Sequence, residues 1–198
     1  MKYLWFFILL TLPVLAQDGF RPLFDGKTLN GWEGDTRLWS VRDGAIVGST
    51  DNTKITHNTF LIYRASPFKD FVLKAEAKLR NHNSGIQFRS EALDEFVMRG
   101  YQADMAEGNW WGSIYEEKGT RGVLVNGWKD KAEKVVKADG WNTMEVSAIG
   151  DHLQIWINGL LTADLHDTVR TEGLLGLQLH AGPPMQVMFR NIRIKEVK

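Results

Sequence analysis

The sequence contains no cysteine. That absence removes disulfide staples, thiolate metal ligands and the cysteine-linked lipid anchor of a lipoprotein. Charge of one sign is also missing: 24 basic residues balance 24 acidic ones, so no net field draws the chain to nucleic acid or to an anionic membrane. No apolar run reaches the ~20 residues of a transmembrane helix. No segment holds a 3.6-residue apolar period for more than roughly ten residues, so long helices are not expected. Phosphate-cradling G-x-x-x-x-G-K-[ST] and dinucleotide G-x-G-x-x-G patterns are lacking, as are H-x-x-x-H and a D-x-D-x-D-G calcium loop. A chain of 198 residues with 43% hydrophobic composition can bury one core without cross-links.

The residues that are present begin with a leader. Lys2 precedes the apolar stretch Tyr3 to Leu12, and Pro13-Val14-Leu15-Ala16 places small residues at the −3 and −1 positions of a cleavage site. We expect a signal peptide over 1–16 and a single mature domain over 17–198, with a periplasmic or extracellular location and no membrane insertion after cleavage. The remainder reads as strands separated by turns. Asp43-Gly44 and Asn158-Gly159 each sit between short apolar runs, which marks two hairpins. Phe68 to Leu79 reads as one long alternating strand, Trp110-Trp111 as part of a loop, and Glu91 to Met98 and Asp130 to Lys137 as one or two helical turns each. Strands about 5–9 residues long at this spacing indicate an all-β fold, an antiparallel jelly-roll sandwich.

Alternation sorts the side chains into faces. Leu73, Ala75, Ala77 and Leu79 oppose Lys74, Glu76 and Lys78. Ile86 and Phe88 oppose Gln87 and Arg89; Tyr101, Ala103 and Met105 oppose Gln102 and Asp104; Leu175, Leu177 and Leu179 oppose Gln178 and His180. With the apolar faces packed inward, the opposite faces carry Glu76, Gln87, Arg89, Gln102, Asp104, Gln178 and His180. Amides, acids, one guanidinium and one imidazole suit a sugar-binding hollow better than an ordinary wet face. Trp111, Tyr115, Glu116 and Glu117 follow in the same central stretch, with Trp111 a candidate stacking platform. Only one of the adjacent glutamates can face the hollow, and parity leans towards Glu116. Trp39, Trp141 and Trp156 are read as core.

Ordered motifs run through the mature chain: LFDGKTLNGW from Leu23, WSVRDGAIVGS from Trp39, FVLKAEAKL from Phe71, NSGIQFR from Asn83, GYQADM from Gly100, WGSIYEE from Trp111, GLLGLQLHAG from Gly173 and FRNIRIKEV from Phe189. Together they resemble the 3-keto-disaccharide hydrolase family. That resemblance implies a concanavalin A-like lectin or glucanase type of jelly roll, export from a bacterium, and action on an oxidised disaccharide or glycoside.

The E-x-D-x-E strand of ordinary retaining glucanases is absent. A sugar oxidised at C3 offers another weak point, because the ketone acidifies the C2 hydrogen and allows β-elimination of the C1 oxygen followed by hydration. On this reading Asp104 or His180 is the base, Arg89 with Gln102 or Gln178 steadies the oxyanion, and Glu116 or Glu117 protonates the leaving group. Glu76, Gln87, Trp111 and Tyr115 complete the substrate-binding set. No cofactor is demanded. A divalent metal is an open alternative on Asp104, Glu116 and His180, although local spacing does not require one. Two other classes stay open, a non-catalytic carbohydrate-binding module and an interaction domain of a larger assembly.

Overall fold

The computed structural model describes residues 19–198. The expected leader lies outside those residues. In chain order the strands are β1 (Arg21–Pro22), β2 (Trp32–Glu33), β3 (Trp39–Arg42), β4 (Ala45–Ser49), β5 (Thr59–Phe68), β6 (Phe71–Arg80), β7 (Asn83–Ala92), β8 (Met98–Ala106), β9 (Asn109–Glu117), β10 (Val123–Val125), β11 (Asn142–Ile149), β12 (His152–Ile157), β13 (Leu160–His166), β14 (Gly173–Leu179) and β15 (Gln186–Glu196). All pair antiparallel. An eight-stranded sheet runs β13-β12-β11-β6-β15-β4-β3 with β1 added on β15, and a seven-stranded sheet runs β10-β9-β8-β7-β14-β5-β2. The two short helical segments are single 3₁₀ turns at Asp94–Phe96 and Ala132–Lys134.

The sandwich follows from the alternation. Leu73, Ala75, Ala77 and Leu79 of β6 meet Ile86, Phe88, Ala103, Leu175 and Leu177 of the opposite sheet in one core. Each buried leucine or phenylalanine side chain contributes about 1.5–3 kcal/mol relative to exposure. Both expected hairpins form, β3–β4 around Asp43-Gly44 and β12–β13 around Asn158-Gly159. Two boundaries differ from the sequence reading. Phe68 to Leu79 is not one strand: β5 ends at Phe68, the chain turns at Lys69-Asp70, and β6 begins in the other sheet. Trp110 and Trp111 belong to β9 instead of a loop. The turn falls earlier, at Glu107-Gly108, and Trp110 pairs with Ala106.

One position in β7 breaks the pleat. Arg89 has φ 46°, within a register shift between Phe88 and Glu91. The bulge takes the guanidinium off the outer face and buries it completely. It donates to the carbonyl of Lys69 at 3.0 and 2.8 Å, to that of Gly150 at 2.7 Å and to that of Arg170 at 3.3 Å, with Asp70 Oδ1 at 3.2 Å. Three loops from both sheets are thereby fastened at one end of the sandwich. Burial pulls the Arg89 pKa down, and Asp70 opposes that pull. Arg89 is therefore a structural clamp and not the oxyanion partner expected from its place in the alternation.

Removing the clamp leaves buried carbonyls without donors. Arg89→Met is expected to lower the unfolding free energy by about 3–5 kcal/mol in urea titrations. Arg89→Lys recovers only part of that loss, because an ammonium cannot span separated carbonyls as the guanidinium fork does. An unchanged midpoint for Arg89→Met would show the clamp to be dispensable.

Candidate functional site

The outer face of the seven-stranded sheet carries a connected set of amides and acids. Register places Gln87 opposite Gln102 and Gln102 opposite Tyr115, while Gly85 lies opposite Asp104 and Asp104 opposite Ser113. Gly85 leaves room for the Gln102 side chain, since a Cβ at Gly85 would come 2.5 Å from Gln102 Cδ. Lying over that gap, Gln102 donates from Nε2 to Asp104 Oδ1 at 3.1 Å and to Gln178 Oε1 at 3.4 Å, and its Oε1 accepts from Gln87 Nε2 at 3.0 Å. The chain continues at both ends: Ser90 Oγ donates to Gln87 Oε1 at 2.6 Å, and Gln178 Nε2 donates to Glu117 Oε2 at 3.4 Å. Gln87 and Gln178 are fully buried and Asp104 is 5% exposed, so the network fills the floor instead of leaving an open bowl.

Asp104 is held by three donors on Oδ1: Asn83 Nδ2 at 3.1 Å, Gln102 Nε2 at 3.1 Å and its neighbour's Met105 N–H at 3.0 Å. Burial nevertheless dominates, and with help from the Glu117 charge it pushes the Asp104 pKa up to about 6. Burial also raises Glu117, against a hydrogen bond donated by Asn58 Nδ2 to Oε1 at 3.2 Å. Tyr115 faces the same side, half-buried, and its hydroxyl makes no hydrogen bond to protein among the described residues. Burial first, then the Glu117 and Asp104 charges, raise its pKa and keep the phenol protonated.

A pair of imidazoles forms the rim. His82 and His180 meet edge to face with centroids 4.5 Å apart. His82 Nε2 lies 3.0 Å and His180 Nδ1 2.7 Å from the same acceptor, the carbonyl of Ala181. A carbonyl oxygen only accepts, so both of those nitrogens carry hydrogen. The lone pairs are consequently on His82 Nδ1 and His180 Nε2. Burial, and secondarily the neighbouring His82, lowers the His180 pKa against the Ala181 hydrogen bond. Asn58 ties this rim to the floor: its Oδ1 accepts from Ala181 N–H at 3.0 Å while its amide holds Glu117.

The structure thus assembles Gln87, Gln102, Asp104, Tyr115, Glu117, Gln178 and His180, and separates four residues grouped with them on sequence. Arg89 turns away into its bulge. Glu76 lies on the eight-stranded sheet, paired with Arg190 at 2.7 Å and Asn191 at 2.6 Å. Trp111 is 3% exposed within the core, so it offers no stacking surface. Glu116 shares the face of Tyr101, opposite to Glu117, and is bonded to Arg121 at 2.7 Å. Arg121 in turn pairs with Asp167, which accepts from the Tyr101 hydroxyl. Asp104, Glu116 and His180 therefore do not converge as a metal site. Sequence patterning does not mark Asn58 or Asn83 as functional; Asn58 sits in an aperiodic loop, where no alternation applies. Trp39 is core as expected, whereas Trp141 and Trp156 are only half-buried. Trp156 lies on the outer face of the eight-stranded sheet, and the Arg190 guanidinium covers the Trp141 ring at 4.0 Å.

A groove of about 990 Å³ lies elsewhere, on the outer face of the eight-stranded sheet between Phe20, Lys74, Glu76, Glu145, Trp156 and Arg193. Two of its acids are ion-paired, Glu145 with Lys74 at 3.0 Å and Glu76 with Arg190 at 2.7 Å. Hydrogen bonds hold Asp25 below the usual carboxylate range, and against burial Asn191 and Arg190 do the same for Glu76, the opposite of Asp104. Volume favours the groove; chemistry favours the amide-lined face.

A carboxyl whose folded pKa is raised binds its proton more tightly in the native state. Asp104 therefore costs stability as pH rises from about 4 to about 6, and that cost is constant above. Asp104→Asn retains an acceptor oxygen for the three donors and removes the buried charge. It is expected to stabilise the protein by about 2 kcal/mol at pH 7–8 and by little at pH 4, as read by thermal unfolding. Equal destabilisation at both pH values would contradict this account.

A curated 3-keto-disaccharide hydrolase from Bacteroides thetaiotaomicron is 37% identical over 92 residues, a match that covers 42% of this chain and 31% of that relative. A solved Parabacteroides distasonis protein, provisionally described as a glycosyl hydrolase, superposes with a TM-score of 0.67 at 20% identity, covering 91% of this chain and 94% of its own. The carbohydrate-binding module CBM66 of Bacillus subtilis gives 0.59 at 17% identity over 90% and 96%. At such identities these structures establish a shared fold. The family model for the 3-keto-alpha-glucoside-1,2-lyase-like domain matches residues 19–195, and the chain belongs to that family.

Proposed function

We propose that this protein is a secreted hydrolase that cleaves 3-keto-glycosides, disaccharides among them, by elimination and hydration at the C1 bond. The observation that carries the reading is one sheet face shared by a buried carboxyl of pKa about 6, an imidazole whose Nε2 is not hydrogen-bonded to protein, and a phenol without a hydrogen-bond partner among the described residues. Family membership and the named Bacteroides hydrolase support the substrate class.

The roles follow from the atoms. His180 Nε2 takes the C2 hydrogen, since Asp104 Oδ1 is already engaged by three donors. The resulting enolate oxygen at C3 receives a hydrogen bond from Tyr115, which replaces Arg89 in that task. The C1–O bond breaks, and the departing alcohol is protonated by Asp104 or by its neighbour Glu117, both held towards neutrality by burial. Water then adds at C1 of the enone and a proton returns to C2, giving net hydrolysis. The floor amides Gln87, Gln102 and Gln178 are buried and bonded among themselves and to the acids, so they position the acids and leave sugar hydroxyls to the half-buried Asn58, Asn83 and His82.

Purified mature protein is expected to release the alcohol from a 3-keto-disaccharide and not from the native sugar. Losing a positioned acid or base costs about 10²–10⁴-fold, so His180→Gln and Asp104→Asn should each fall by that factor. The rate should peak near pH 6, declining below as His180 is protonated and above as Asp104 loses its proton. A rate that rises through pH 6 to a plateau would transfer the base role to Asp104, and wild-type turnover in both variants would remove the assignment. The closed amide floor and the likeness to CBM66 favour one alternative, a carbohydrate-binding module without turnover, which binds the unmodified glycan. Expressed with its leader in a bacterial host, the chain should be recovered outside the cytoplasm with Gln17 as the N-terminal residue in mass spectrometry. Retention of an intact Met1 chain would oppose export.

A further inference from the structure

We infer that the β12–β13 hairpin carries a transition-metal site formed by His152, Asp164 and His166, on the other sheet from the amide-lined face. Register puts His152 directly opposite His166 and Gln154 opposite Asp164, so all four side chains share the outer face of the sheet. The imidazoles stack with centroids 4.4 Å apart and planes 9° from parallel. One ligand atom from each of His152, Asp164 and His166 lies within 4.8 Å of the others.

The surroundings resemble a prepared site more than a chance cluster. Asp151 Oδ1 lies 3.2 Å from His166 Nδ1, which leaves Nε2 of that ring free to ligate. Gln154 Nε2 donates to Asp164 Oδ2 at 2.9 Å, and the other oxygen, Oδ1, lies 2.8 Å from His152 Nε2. A carboxylate behind a ligating imidazole and an amide behind a ligating carboxylate are the outer partners that orient metal ligands. Two imidazoles and one carboxylate suit zinc, cobalt, nickel or copper and not calcium or magnesium. All three ligands are on the surface or half-exposed, so the small rotations that bring donors to about 2.0–2.1 Å from zinc meet little resistance. The remaining coordination positions belong to water. An ion here would also tie down the end of β13, one residue before the Asp167 that holds Tyr101 and Arg121.

The test is a calorimetric titration of the chelator-treated mature protein with zinc chloride. One equivalent per chain is expected, with a rise in the melting temperature. Asp151→Asn leaves the three ligands in place and should weaken binding about 10- to 100-fold. The double variant His152→Ala, His166→Ala should abolish binding while the metal-free melting temperature stays at that of the unsubstituted protein. No saturable uptake would overturn the inference. So would uptake that survives in the double variant, which would locate the ion at another cluster such as His82 and His180.

Discussion

A buried guanidinium determines how the two sheets meet. Arg89 is charged, without solvent, and satisfied almost wholly by backbone carbonyls from turns of both sheets. Such a group has one acceptable position, because leaving it there without its partners costs far more than an ordinary lost hydrogen bond. The left-handed backbone at Arg89 is part of the same constraint. Without the bulge the side chain would project from the outer face beside Gln87, and the Lys69, Gly150 and Arg170 carbonyls would need other donors. The residues of β7 before the bulge, Gln87 included, keep their alternation and so keep the amide network on the opposite side from the core.

That network has its own logic. Buried amides are tolerated only when each donor meets an acceptor, and here the sequence Ser90, Gln87, Gln102, Gln178, Glu117 runs as a directed relay in which each residue donates to the next. In a medium of low polarity such a relay stiffens its members and holds the acid beside it in a fixed orientation. Asp104 stays in an unfavourable environment because its neighbours leave it nowhere else to go. A carboxyl poised near neutrality is the result, and the stability lost in maintaining it is the usual cost of a reactive group.

Much of this is legible in the residues. The alternation of β7, β8 and β14 separates core from outer face correctly at Ile86, Gln87, Phe88, Gln102, Asp104, Leu177 and Gln178, because a pleat sends neighbours to opposite sides whatever the fold. Parity carries no information about which sheet a strand joins, and Glu76 falls in with the amides for that reason alone. It is equally blind to a bulge. Nothing in I-Q-F-R-S announces that the arginine adopts a left-handed conformation and leaves the pattern. Trp110 and Trp111 read as a loop because the Glu107-Gly108 turn precedes them by so little. For the glutamate pair, Glu116 keeps the parity of Gly112 and Ile114, and Ile114 is a core residue, so that parity turns Glu116 away from the outer face. Counting from the regular pairing of Ala103 with Ile114 gives Glu117. Asn58 illustrates a different limit: a loop residue acquires its place only when strands distant in sequence come together around it.

The clamp and the imidazole rim occupy opposite ends of the same strands. Lys69, Gly150 and Arg170 lie at the end where Arg89 is buried, while Asn58, His82 and Ala181 lie where β5 begins and β14 ends. Cohesion is concentrated at one pole and the candidate site at the other. Loops at the candidate-site pole can lengthen, shorten or exchange residues without disturbing the Arg89 contacts. A scaffold divided in this way is suited to diversification, since a few connections can be rewritten around the candidate site while the same rigid base is kept.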